Sequence, residues 1–287
     1  MNSENMTIQW YPGHMTKTRR QIEADLKQVD AICEIVDARI PVSSRNPDID
    51  SLCHNKPRII VLNRSDLADP ETTKRWLTWF RNKKYAAIAT DCKSKKGINN
   101  FYPAVRSVLQ EKIQRDMARG MNRPLRVMIV GIPNVGKSTL INQISGRKGA
   151  KAENRPGVTR GKQWVTVDNG LLLLDTPGIL WPKFDDPQVG MKLAYTGAVK
   201  EDIIDTEELA CHLMEVLWRY YPETVRTRYK IDATGDIPGY MLLEYAGRKR
   251  GFLISGGEVN TERMAKVLLD EYRSGKLGKL SFEEPEE

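Results

Sequence analysis

Histidine and cysteine are scarce in this chain, and those present are scattered. The three histidines (His14, His54, His212) and four cysteines (Cys33, Cys53, Cys92, Cys211) form no C-x-x-C pair and no grouping with metal-ligand spacing. That excludes a zinc module of the usual spacings, and reduced thiols in a cytosolic protein are expected. No apolar run approaches the length of a membrane span, so no membrane partner is expected. The stretch from Met1 to Gln9 is polar and lacks the apolar core of a secretion signal. No Arg- and Ser-rich leader precedes Trp10, which makes a bacterial cytoplasm the expected location. Internal repeats are absent as well. What remains is a 287-residue chain with 40% hydrophobic and 29% charged residues, the composition of a soluble globular protein. Lysine and arginine (45) exceed aspartate and glutamate (37), giving a net charge of +8. A basic excess of this size favours a polyanionic partner.

The hydrophobic pattern alternates between strand and helix periods. Met15, Ile22, Leu26 and Val29 recur at helical spacing and predict a helix over 16–28. Short β-rich runs at 31–36, 58–62 and 85–89 are separated by helix-length segments, with helices expected over 70–83 and 99–119. A buried strand at 125–130 ends at a glycine loop, and 137–144 opens the next helix. The runs 164–167 and 171–174 flank Asp168-Asn169-Gly170, a hairpin signature. This alternation predicts an α/β fold with a mostly parallel sheet and helices on both faces, over residues 1–186.

From about residue 187 the pattern turns helical. Leu209, Leu213, Val216, Leu217 and Tyr220 fall on one stripe behind a cap at Asp205 or Thr206, and Met264, Val267, Leu268 and Tyr272 form another. A small all-helical domain is expected over 187–280, followed by a disordered acidic tail at 281–287.

The most informative stretch is Gly131-Ile132-Pro133-Asn134-Val135-Gly136-Lys137-Ser138, a G-x-x-x-x-G-K-[ST] loop followed by Thr139. Glycines let backbone N–H groups close around phosphate oxygens at a helix N-terminus, which itself favours negative charge. Lys137 is placed to reach the β- and γ-phosphates and Ser138 to hold Mg²⁺. Asp175-Thr176-Pro177-Gly178, a D-x-x-G, follows: the Asp175 carboxylate belongs beside the Mg²⁺ shell and the Gly178 N–H at the γ-phosphate. Thr159, in Pro156-Gly157-Val158-Thr159, can complete the metal site from a switch loop. Base choice rests on Asn63-Arg64-Ser65-Asp66 at a strand end. An aspartate accepts two hydrogen bonds from guanine N1–H and its exocyclic amine; adenine offers no such pair. Arg64 stands where lysine is usual, and its flat guanidinium can still stack on a ring. Asp91 and Cys92, in Ala89-Thr90-Asp91-Cys92-Lys93, occupy the place of the fifth GTPase motif, whose usual S-A-K they match poorly. In the common order the phosphate loop comes first and the base-reading motif last; here the order is rotated. Ile179 follows Gly178, where many signalling GTPases carry a water-orienting Gln, so a catalytic group must come from elsewhere or hydrolysis is slow.

With these motifs, the chain resembles the circularly permuted GTPases of ribosome assembly, in particular the ribosome biogenesis GTPase A (YlqF-type) family. The stretches 10–15 (Trp-Tyr-Pro-Gly-His-Met), 63–66, 131–138, 175–181 and 190–194 carry the resemblance, which covers about residues 8–269. Tyr11 stands where the family often has Phe. The resemblance implies a late maturation factor of the large ribosomal subunit that binds rRNA in its GTP state. It also implies that His14 is the hydrolytic residue and that Asn134 matches the residue holding K⁺ in potassium-activated GTPases.

Basic clusters at 93–96, 147–151, 155–162, 226–230 and 248–250, with Tyr220, Tyr221, Tyr229 and Tyr245 nearby, suit an RNA backbone with stacked bases. The expected partners are therefore GTP or GDP and the large-subunit precursor with its rRNA, and a monomer is expected. Because the rotated order lets Asp175–Gly178 run directly into the helical domain, loss of the γ-phosphate is expected to move that domain. A P-loop ATPase or kinase and a nucleotide-independent RNA adaptor are the alternatives. The small-subunit branch of permuted GTPases is disfavoured by the lack of a Cys/His ligand cluster.

Overall fold

The computed structural model describes residues 15–53, 56–146, 163–167, 170–178, 186–199 and 205–286. They form two compact units, one of residues 186–280 and one of the preceding chain together with the last residues from Ser281.

The larger unit is a six-stranded sheet. Its strands are β1 (Ala31–Asp37), β2 (Arg58–Asn63), β3 (Ala86–Thr90), β4 (Leu125–Val130), β5 (Gln163–Val167) and β6 (Leu171–Asp175), in the order β3-β2-β1-β4-β6-β5. All neighbouring pairs are parallel except β5–β6, the expected hairpin. β1 and β2 are buried along their whole length, as central parallel strands covered on both faces must be. The chain runs outward from β1 through β2 to β3 and then crosses to β4 on the other side of β1. That reversal places a crevice at the carboxyl ends of β1 and β4, where open α/β sheets bind ligands.

The helices of this unit are α1 (Met15–Leu26), α2 (Pro47–Cys53), α3 (Pro70–Asn82), α4 (Phe101–Val108), α5 (Gln110–Ala118) and α6 (Lys137–Ser145). α3 starts where the sequence dictates: the Asp69 carboxylate accepts the Thr72 N–H at 2.7 Å, and Pro70 occupies the first turn. Its buried Trp76 and Phe80 pack with Val36, Ile60, Leu62 and Ala68, fixing the helix against β1 and β2. The single helix expected over 99–119 is interrupted at Leu109, whose backbone (φ −108°, ψ 14°) leaves the helical region while its side chain stays buried.

The smaller unit is all-helical: α7 (Pro187–Tyr195), α8 (Thr206–Tyr220), α9 (Pro222–Tyr229), α10 (Gly239–Lys249) and α11 (Thr261–Ser274). Asp205 caps α8, accepting the N–H groups of Glu207 and Glu208 at 2.9 Å. The buried stripe of α8 runs through Leu209, Ala210, Leu213, Met214 and Leu217, whereas Tyr220, expected on it, is 66% exposed. Helical period puts that tyrosine on the buried face, but it is the last residue of α8.

Glu271 on α11 is nearly inaccessible yet charged. Arg228 and Arg250 bind its carboxylate, and the Tyr229 hydroxyl donates to it at 2.8 Å. Burial pushes its pKa up, but the hydrogen bonds from Arg228, Tyr229 and Arg250 outweigh that and hold the carboxyl below its usual range. Removing one partner of a buried ion network leaves uncompensated charge. Glu271→Ala is therefore expected to destabilise this unit by about 3–5 kcal/mol, read by thermal or urea unfolding. Because the folded pKa is lowered, the stabilisation is complete above the ordinary carboxylate range and is lost as pH falls through the folded value.

One expectation fails outright. The acidic tail, read as disordered, is packed: Ser281 and Glu283 are buried and bonded to the sheet-bearing unit.

Candidate functional site

Strand register sets the site. Asn63 at the end of β2 lies opposite Asp37 at the end of β1 and Thr90 at the end of β3, so three strand ends present their side chains along one edge. The loop after β4 completes the crevice. At Gly136 (φ 101°) a side chain would strike the Asn63 amide, so only glycine lets the phosphate loop approach the base-reading strand.

Two side chains tie these segments together across some seventy residues of sequence. The Asn63 amide donates to the Val135 carbonyl at 2.8 Å, and the Arg64 guanidinium donates to the Asn134 carbonyl at 2.6 Å. The Asn63 amide oxygen accepts in turn from the Thr90 hydroxyl at 3.0 Å and the Cys92 thiol at 3.2 Å. Asn63 is thus a fixed strut between the loops after β2, β3 and β4. Arg64, which the sequence suggested as a ring-stacking group, is a crosslink to the phosphate loop.

The Asp66 carboxyl is raised above its usual range, first by burial and then by the nearby Asp91 carboxylate. Asp91 itself accepts from the Lys93 N–H at 2.8 Å, the Ser94 N–H at 3.2 Å and the Ser94 hydroxyl. It folds its own turn, and those bonds hold its pKa down against burial. Burial pushes the Cys92 thiol up to about 12.

At the phosphate end Lys137 is buried, and its ammonium donates to the carbonyls of Gly131 (3.1 Å) and Ile132 (2.8 Å). Burial pushes its pKa down to about 8, with the Asp175 carboxylate pulling the other way. A side chain at Gly178 would lie 3.0 Å from that ammonium and 2.7 Å from Pro133, so the D-x-x-G turn rests directly on the loop. Ser138 Oγ donates to Asp175 Oδ2 at 3.1 Å, while the buried Asp175 Oδ1 has no hydrogen-bond partner. Burial raises the Asp175 pKa. A buried carboxylate oxygen lacking a donor, beside a serine hydroxyl, is a donor set suited to Mg²⁺ and its waters. Thr139 lies half-buried one residue further along α6, and Asn134 holds a left-handed backbone (φ 58°).

His14 and Thr159 lie outside the described residues. Among described residues no further group of acidic, His and Cys side chains could hold a metal, and no helix is long and apolar enough to cross a membrane. The role of Thr90 escapes sequence reading; its one signal is a hydroxyl at the last position of an apolar strand, level with Asn63.

Strand order and site together define a class. Counted from the strand that feeds the phosphate loop, the chain enters a P-loop GTPase sheet part-way, so the domain is a circularly permuted one carrying a helical C-terminal unit. The family model described as "50S ribosome-binding GTPase" matches residues 126–232. The "Ribosome biogenesis GTPase A" of Priestia megaterium is 47% identical over 286 residues, covering 98% of each chain. Among solved structures, GDP-bound TM YlqF superimposes with a TM-score of 0.69 at 30% identity, over 93% of this chain and 100% of that one. GNP-bound YlqF from T. maritima gives 0.66 at 29%, over 94% and 99%. The chain belongs to the ribosome biogenesis GTPase A family.

Proposed function

We propose that the chain hydrolyses GTP to GDP and phosphate and acts as an assembly factor of the large ribosomal subunit, binding the subunit precursor through rRNA as a monomer and leaving on hydrolysis. The observation that carries the nucleotide half of this reading is the pair of bonds from Asn63 and Arg64 to the phosphate-loop backbone, which brings base-reading and phosphate-binding groups to one crevice. The ribosomal half is supported by the names of the relatives and by the basic clusters.

In this reading the backbone N–H groups of 134–139 and the Lys137 ammonium hold the phosphates, Asp66 reads the guanine edge, and Arg64, Asp91 and Cys92 border the base. Ser138, Asp175 and Thr159 would hold Mg²⁺, which when bound neutralises charge on the transferred phosphoryl group. Gly178 donates its N–H to the γ-phosphate. Isoleucine at 179 cannot orient water; His14 takes that role when the ribosomal particle brings it to the site. Asn134 would hold K⁺, placing positive charge where an arginine finger acts elsewhere. These residues favour guanine over adenine, because an Asp66 carboxylate facing adenine keeps an unmatched acceptor.

Co-sedimentation with large-subunit precursors tests the whole reading. Binding is expected with a GTP analogue, less with GDP, and less again as salt rises. Hydrolysis stimulated by the particles is expected to be faster in KCl than in NaCl and to vanish in His14→Ala while that variant still binds GTP. Equal sedimentation in both nucleotide states would contradict the switch.

A further inference from the structure

We propose that the C-terminal segment from Ser281 to Glu284 is a positioning element for guanine recognition, fixing from outside the loop that carries Asn63 and Asp66 together with the β1 loop beside it. The inference rests on the guanine-nucleotide reading above and adds residues that none of the nucleotide motifs contains.

Asn63–Asp66 lie between the end of β2 and Asp69, the cap of α3. Beside them runs the loop after β1, residues 38–46. The two loops share one backbone bond, from the Ala38 N–H to the Asn63 carbonyl at 2.9 Å. The tail joins them again, from both sides. Towards the β1 loop, the Phe282 N–H donates to the Arg39 carbonyl at 2.9 Å. The Glu283 carboxylate accepts the Val42 N–H at 2.6 Å, the Ser43 N–H at 3.2 Å, and the Ser43 hydroxyl. Two successive N–H groups aimed at one carboxylate make a backbone nest, a fixed anion site filled here from within the chain.

Towards the β2 loop, Ser281 Oγ accepts the Asp69 N–H at 3.1 Å. The indole N–H of the buried Trp76 donates to the Glu283 carbonyl at 3.0 Å, and the Thr72 hydroxyl donates to Glu284 at 3.1 Å. Every one of these bonds spans more than two hundred residues of sequence. Leaving a carboxylate buried is costly unless it is bonded, and Glu283, 9% exposed, takes the Val42 and Ser43 bonds named above from the β1 loop.

The consequence for Asp66 is geometric. It sits in a short turn whose first residue, Asn63, is locked by Val135 and Thr90, and whose last, Asp69, is locked by the tail. Two hydrogen bonds to one base edge demand that the carboxylate be held to a fraction of an ångström. Freeing Asp69 and the neighbouring loop loosens one end of that turn. The phosphate loop follows β4 and is held by Asn63 and by the Lys137 ammonium, not by the tail bonds named here. Loss of the tail therefore falls on the base and spares the phosphates.

The experiment compares the full chain with two variants, one ending at Leu280 and one carrying Glu283→Ala. GDP and IDP affinities are measured together with thermal unfolding. Inosine lacks the exocyclic amine, so it feels only half of the Asp66 contact. Both variants are expected to bind GDP about tenfold more weakly and to lose most of the preference for GDP over IDP. A synthetic peptide of residues 279–287, in excess, is expected to restore the shortened chain. An unchanged GDP/IDP ratio, even with a lower melting temperature, overturns the inference and leaves the tail a stabilising clamp only. Should the shortened chain not fold, Glu283→Gln decides: its amide keeps one acceptor oxygen for the nest but loses the charge and the second acceptor, so a smaller narrowing of the ratio in the same direction is expected, with an unchanged ratio overturning the proposal. Failure of the unaltered chain to bind GDP would instead remove the nucleotide reading on which this rests.

Discussion

Lys137→Ala is expected to abolish tight binding of GTP and GDP while leaving the fold intact. The ammonium is buried in the loop proposed to hold the phosphates, where it donates to the Gly131 and Ile132 carbonyls. Removing one partner of a desolvated charge pair costs about 2–5 kcal/mol, or roughly thirty- to several-thousand-fold in affinity. The same residue gives binding a pH dependence. In the protein alone burial holds its pKa at about 8. Phosphate oxygens at hydrogen-bond distance favour the charged form and raise it. Above pH 8, binding must therefore take up a proton; below it, the proton is already in place. Affinity is expected to be level below about pH 7.5 and to fall by up to about tenfold per unit above pH 8. Calorimetry in buffers of different ionisation enthalpy reads the uptake directly. An affinity that rises between pH 8 and 9 would show that Lys137 does not face the phosphates.

Asp66→Asn is expected to exchange base specificity. The carboxylate offers two acceptors, matching guanine N1–H and its exocyclic amine; the amide offers one acceptor and one donor. That second pattern suits xanthine, which carries a carbonyl in place of the amine. Sites built to bond a polar group reject the mismatched partner by about 10⁴-fold, so GDP affinity is expected to drop steeply while xanthosine diphosphate gains. The variant also removes the neighbour that shares a field with Asp91, a like charge that raises the Asp66 pKa after burial. In the unaltered chain, guanine binding accordingly weakens on acidification at a higher pH than a free aspartate would give, since the carboxyl must be ionised to accept both bonds. Equal binding of guanine and xanthine nucleotides by the variant would place the base elsewhere.

Much of this was legible before any coordinates. A phosphate loop announces itself locally, because glycines, a lysine and a serine must stand at set spacings between a strand and a helix. The rotated motif order is equally visible, and the sheet order β3-β2-β1-β4-β6-β5 is its spatial consequence. What stayed hidden depends on pairings distant in sequence. Thr90 acquires its role only from register with Asn63. The Arg64 bond to the Asn134 carbonyl needs two loops to meet, and nothing in an Asn-Arg-Ser-Asp turn announces it. The tail misled for a physical reason: Ser-Phe-Glu-Glu-Pro-Glu-Glu has the composition of a solvated terminus, yet Glu283 answers backbone N–H groups some 240 residues earlier. Backbone donors carry no side-chain signature, so composition cannot reveal their partner. Tyr220 shows the limit of helical period, which assigns a face without fixing how far along the helix the neighbours reach.

The central claim is that separated segments of a permuted chain enclose one guanine nucleotide. A crystal structure of the GDP complex tests it most directly. The account predicts both Asp66 carboxylate oxygens at about 2.7–3.2 Å from guanine N1 and the exocyclic amine, with the β-phosphate in the loop 131–138 and Lys137 turned onto it. A nucleotide bound by that loop with its base away from Asn63 and Asp66 would contradict it.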